Sequence, residues 1–133
     1  MGEKKKIMIA DDSRVAAHLL TEIIESIEGC EVVGNAVTGE QAIEYYEKYK
    51  PDLVTMDLSM PGMGGTEVHE RLTALRPGVK VILSSGYSDD ERVSDILANG
   101  ARVLLRKPYT ADAVLRAVRE VLDGVSGLPG LAG

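Results

Sequence analysis

Four apolar runs in this 133-residue chain end in groups that can do chemistry on an anion. Asp11 and Asp12 follow Ile7–Ala10, Asp57 ends Leu53–Met56, Ser84 and Ser85 end the run that starts at Val79, and Lys107 follows Ala101–Arg106. The run before Asp57 has no helical period, and Pro61, Gly62, Gly64 and Gly65 after it impose a turn. It therefore reads as a buried strand with Asp57 at its carboxyl edge, half in water and held rigidly from behind. Three carboxylates brought together repel by about 4 kcal/mol per close pair at an effective dielectric of about 20. Such a cluster takes up a proton or binds a cation. Oxygen donors with no His or Cys beside them favour Mg²⁺ over Zn²⁺. With a cation at hand, Asp57 can stay ionised and attack phosphorus as a nucleophile. Lys107 would neutralise phosphoryl charge, and a serine hydroxyl would donate to a phosphoryl oxygen.

These groups meet only if the elements place them on one rim. Ile7–Ala10 reads as a first strand, and the apolar spacing of Val15, Leu19, Leu20, Ile23, Ile24 and Ile27 predicts a helix with glutamates outside, stopped by Gly29. Val32–Val37 is a second strand and Gly39–Tyr49 a helix with Ala42, Ile43 and Tyr46 inward, ended by Pro51. The strand to Asp57 feeds a glycine-rich loop and a helix from Thr66 to Leu75, with Val68, Leu72 and Leu75 on one face. Val79–Ser85 is the fourth strand, Asp89–Ala98 a short acidic helix, Ala101–Arg106 the fifth strand and Ala111–Leu122 the last helix. Apolar strands that alternate with helices imply a parallel sheet covered on both faces, a doubly wound α/β sandwich. Ligands of such sheets bind beyond the carboxyl ends of the strands, where all four acidic, hydroxyl and cationic ends lie. The second strand offers only the small residues Gly34 to Ala36 there, as an outer strand would.

Bulk properties narrow the function. The length suits one domain, residues 1–123, and the Gly-rich stretch 124–133 reads as a tail or linker. A net charge of -6, with 15 basic against 21 acidic residues, argues against a nucleic-acid surface. Lys4, Lys5 and Lys6 form one basic run, read as a solubilising, fraying terminus. The single cysteine, Cys30, suits a reducing cytoplasm, and no apolar stretch is long enough to span a membrane. His18 and His69 fall on helices away from the rim and read as surface or half-buried residues with no part in the chemistry.

Asp11-Asp12, Asp57 with Met60-Pro61-Gly62, Ser85-Gly86 and Lys107-Pro108, in this order and spacing, resemble the receiver domain of bacterial two-component response regulators, of the CheY-like single-domain type, over residues 6–123. The resemblance implies a flavodoxin-like (βα)5 three-layer sandwich with strand order 2-1-3-4-5. It implies that a histidine kinase or phosphotransfer protein donates a phosphoryl group to Asp57. Asp12, Asp57 and the backbone carbonyl of Ser59 would ligate Mg²⁺, with Asp11 acting through water; Ser85 would be the switch hydroxyl and Lys107 the phosphoryl counter-charge. It also implies a cis Lys107-Pro108 bond and output through a partner docked on the fourth helix, fifth strand and fifth helix. The chain would then be a phosphoacceptor signalling domain that catalyses only its own phosphorylation and dephosphorylation.

One departure qualifies the resemblance. The family's aromatic switch position holds Leu104, with Tyr87 and Tyr109 the nearest aromatic substitutes, and Ser59 and Tyr87 occupy the positions that tune the phosphoryl lifetime. Of the competing functions, a Mg²⁺-dependent aspartyl-phosphate phosphohydrolase of the haloacid-dehalogenase type would need a second Asp where Ser59 stands. A flavin carrier would need a Ser/Thr-rich phosphate loop after the first strand, and that stretch is Asp11-Asp12-Ser13.

Overall fold

The computed structural model describes residues 4–58, 65–85, 103–106 and 110–123. Five strands, β1 (Lys5–Ala10), β2 (Cys30–Ala36), β3 (Leu53–Asp57), β4 (Val81–Ser85) and β5 (Val103–Arg106), form one parallel sheet in the order β2-β1-β3-β4-β5. The helices are α1 (Arg14–Glu25), α2 (Gly39–Tyr49), α3 (Gly65–Leu75) and α4 (Ala111–Asp123), the last being the expected fifth helix. The helix expected over 89–98 and the stretch 124–133 lie outside the described residues.

Side chains of a strand alternate between faces, so each strand serves two cores. Ile7, Ile9, Leu53, Ile82 and Leu105 pack beneath α1 and α4, against Leu20, Ile24, Val114 and Val118. Met8, Ala10, Val54, Met56, Val81 and Leu83 pack on the opposite face with Ala42 and Tyr46 of α2 and Val68 and Leu72 of α3. Both faces of β1, β3 and β4 are thus dry, which is why their sequences are apolar without alternation.

The helix starts are local. Ser13 Oγ accepts from Ala16 N at 3.2 Å, Thr38 Oγ1 from Gln41 N at 3.1 Å, and Thr110 Oγ1 from Ala113 N at 3.1 Å. At its far end α2 closes on Lys50, whose φ of 50° is left-handed and whose N–H bonds Tyr46 O at 2.9 Å.

Some inward positions are corrected. Val15 is 81% exposed and Leu19 44%, because α1 turns Ala17, Leu20, Ile23 and Ile24 to the sheet and Val15 lies about 200° round the helix from Ala17. Leu75, at the last turn of α3, is 46% exposed. Lys5 and Lys6 do not fray; they open β1, and Lys6 N bonds Asp52 Oδ2 at 2.8 Å. The register also slips between β1 and β2: Ile7 pairs with Val32 but Met8 with Gly34, so Val33 is an extra residue in the edge strand.

Candidate functional site

The strand order puts β1 and β3 side by side, and their carboxyl ends carry Asp11, Asp12 and Asp57. One carboxylate oxygen from each lies within 4.8 Å of the other two. Asp11 and Asp57 are buried, at 1% and 3% exposure, and Asp12 is exposed. Asp57 is therefore not half in water as its strand-end position suggests. Asp12 is the member of the cluster that reaches solvent. Oxygen donors with no His or Cys among them fit a hard divalent cation.

Backbone hydrogen bonds fix these carboxylates. Asp11 N donates to Ala36 O at 2.9 Å, tying the end of β1 to β2, and Asp11 Oδ1 accepts from Ser13 N at 2.8 Å. Ser13 in turn caps α1, so helix start and carboxylate are set by one turn. On the other flank, Leu58 N donates to Ser84 O at 3.1 Å and holds the chain as it leaves Asp57.

Asp57 is in register with Ser84. The Ser84 hydroxyl is buried, at 2% residue exposure, and has no hydrogen-bond partner among the described residues; Thr55 Oγ1, two residues before Asp57, is in the same state. The sequence placed Ser84 at the end of the fourth strand and gave the switch hydroxyl to Ser85 instead. Ser85 is the last residue of β4 and pairs with Arg106, so the strand ends carrying the expected hydroxyl and the expected lysine run side by side. Leu104 pairs with Leu83 inside β5. Ser59, Met60, Pro61, Gly62, Gly86, Tyr87, Lys107, Pro108 and Tyr109 lie outside the described residues.

Asn35 was missed altogether, because the end of β2 reads as merely small. Its side-chain Nδ2 faces three carbonyls, Ile9 O at 3.2 Å, Asp11 O at 3.4 Å and Ala36 O at 3.2 Å. The remaining titratable groups stand apart from the rim. His18 is exposed and pairs with Glu22 at 3.1 Å. His69 is 2% exposed rather than half-buried, and burial pushes its pKa below the ordinary 6.5, opposed by Glu70. Burial raises the Cys30 thiol, with Arg119 and Lys5 acting against the rise, which keeps it an unreactive thiol.

A doubly wound parallel sheet with three carboxylates at the ends of β1 and β3 defines an α/β protein whose strand ends can hold a divalent cation. The sequence matches the response regulator receiver domain over residues 7–119, and the chain belongs to that family. It is 33% identical to the chemotaxis protein CheY of Thermotoga maritima over 117 residues, 88% of this chain and 97% of that one. With CheY of Bacillus subtilis it is 34% identical over 118 residues, 89% of this chain and 98% of that one. Among solved structures, a chain of the CheX-CheY-BeF3-Mg²⁺ complex from Borrelia burgdorferi is similar, with TM-score 0.84 and 31% identity over 90% of each chain. A CheY-like receiver domain protein of Methanospirillum hungatei has TM-score 0.84 and 33% identity, covering 92% of this chain and 96% of that one. The chain is thus a receiver domain of two-component signalling, a family whose role is to accept phosphoryl groups. Among the described residues no helix is long and apolar enough to cross a membrane.

Proposed function

We propose that Asp57 is the phosphoacceptor and that Asp11, Asp12 and the Ser59 carbonyl complete a Mg²⁺ site with it. The observation that carries this reading is the convergence of three carboxylate oxygens within 4.8 Å, two of them on buried residues. When bound, Mg²⁺ supplies positive charge for the phosphoryl oxygens. Asp57 then does the chemistry: a carboxylate oxygen attacks phosphorus, the bond from phosphorus to the donor atom breaks, and its electron pair leaves with the donor. Packing of β3 between β1 and β4 holds Asp57 at one orientation, so little reorganisation is needed at attack. Asp11 is fixed by Ser13 N and the β2 end, and Asp12 is the member open to water and able to admit the ion.

Lys107 is assigned to the phosphoryl charge and Ser85 to a phosphoryl oxygen, a reading supported by the adjacent ends of β4 and β5. The donor is a histidine kinase or phosphotransfer protein, and the output partner docks on residues 89–98 with β5 and α4, where the loop after β4 would transmit the change. The chain acts as a cytoplasmic phosphoacceptor whose catalysis is confined to itself, with residues 1–123 the receiver and 124–133 a tail or linker.

Incubation with acetyl phosphate and Mg²⁺ tests this reading. The expected result is a protein heavier by one phosphoryl group, abolished by chelation and by Asp57→Asn. An adduct that survives Asp57→Asn, or rapid multiple turnover of phosphate esters, would contradict it.

A further inference from the structure

The three carbonyls around Asn35 belong to the ends of β1 and β2, and the end of β1 carries Asp11 and Asp12 of the acidic cluster. An amide with two N–H groups facing three carbonyl oxygens can only be a donor there, and it joins the edge strand to the loop that carries Asp11 and Asp12. The peptide that contains Asp11 O also contains Asp12 N, so a grip on that carbonyl fixes the plane from which Asp12 leaves. Asp12 needs such a grip: it is the exposed member of the cluster, and among the described residues no group donates to its carboxylate. Asp11, by contrast, has Ser13 N on its carboxylate and Ala36 O on its own N–H.

The extra residue in β2 is what brings Asn35 to this place. With Ile7 opposite Val32, an unbroken ladder would set Gly34 opposite Ile9 and Asn35 opposite Ala10. The slip after Ile7 pairs Asn35 with Ile9 instead, and a one-residue shift reverses the face on which every later side chain of β2 stands. The irregular edge strand and the amide are therefore one device.

We infer that Asn35 is a positioning residue for Mg²⁺, holding the Asp11–Asp12 peptide from the neighbouring strand so that both carboxylates aim at Asp57. The inference rests on the proposed Mg²⁺ site and adds a residue that never touches the ion. Groups that orient metal ligands commonly change affinity by about tenfold or more when removed.

The test is titration of the full chain with Mg²⁺ alone, read by calorimetry, for wild type, Asn35→Ala and Val37→Ala. Val37 stands one residue beyond the end of β2, is 38% exposed, and its N–H bonds Gln41 Oε1, so its truncation alters the same surface without touching the strap. The expected result is Mg²⁺ binding weakened by about tenfold in Asn35→Ala and unchanged in Val37→Ala. With acetyl phosphate, Asn35→Ala should need correspondingly more Mg²⁺ for half-maximal phosphorylation and reach the wild-type rate at saturation. Amide exchange should quicken at Asp12 and Ser13, with the thermal midpoint little moved because Asn35 is exposed. Equal Mg²⁺ affinity in Asn35→Ala and wild type overturns the strap while leaving the Mg²⁺ site standing. Wild-type protein that binds no Mg²⁺ overturns both.

Discussion

Asp57 owes its position to the strand before it. Leu53 to Met56 are buried on both faces, so the carboxylate that follows cannot wander, and Leu58 N is already engaged with Ser84 O. The carboxylates themselves were legible in the sequence because, although Asp alone at a strand end reads as a turn former, three of them fell at two strand ends beside a hydroxyl and a lysine at two others. Their burial was not, since it depends on which strands become neighbours, and periodicity carries no information about neighbours. Ser84 shows the same limit. Its place at the end of the fourth strand was legible, but its pairing with Asp57 and the burial of its hydroxyl were not. A buried hydroxyl without a partner costs stability, so Ser84→Ala should leave the fold as stable or more stable by up to about 1 kcal/mol. Urea denaturation measures this, and a clear loss would mean the hydroxyl is engaged.

At the level of elements, the helices were read from apolar spacing, which fixes existence better than phase. All four described helices fall where that spacing places them, while Val15, Leu19 and Leu75 turn out to face solvent. An apolar residue on the wrong side of α1 looks the same in one dimension as one on the right side. The two classes separate on truncation. Leu20→Ala, at a fully buried position beneath α1, should cost about 2–5 kcal/mol, and Val15→Ala should stay within about 0.5 kcal/mol. Equal losses at the two positions would contradict the orientation of α1. The bulge in β2 was illegible for a related reason: nothing in Val32-Val33-Gly34-Asn35 announces which residue the ladder skips. Asn35 could be found only once the register was known.

For the molecule as a whole, strand order was implied by the resemblance and is the order observed, so the rim that gathers the carboxylates follows from topology. Global stability should also carry the mark of His69. Burial lowers its pKa in the folded state below 6.5, so the unfolded chain binds the proton more readily. Stability from keeping this ring neutral is present above pH 6.5 and is lost as pH falls from there toward the folded pKa. Urea midpoints should drop as the pH falls below 6.5, and His69→Leu should remove part of that drop. Identical profiles in the two proteins would place the pH dependence elsewhere.

The central claim concerns one atom group, the Asp57 carboxylate, and reductive trapping addresses it directly. Borohydride converts an aspartyl phosphate to homoserine, so protein treated with acetyl phosphate and Mg²⁺, reduced and mapped by peptide mass should carry homoserine at position 57 and aspartate at positions 11 and 12. Homoserine at either of those positions, or none anywhere in Mg²⁺-loaded protein, would contradict the assignment of Asp57 as the nucleophile.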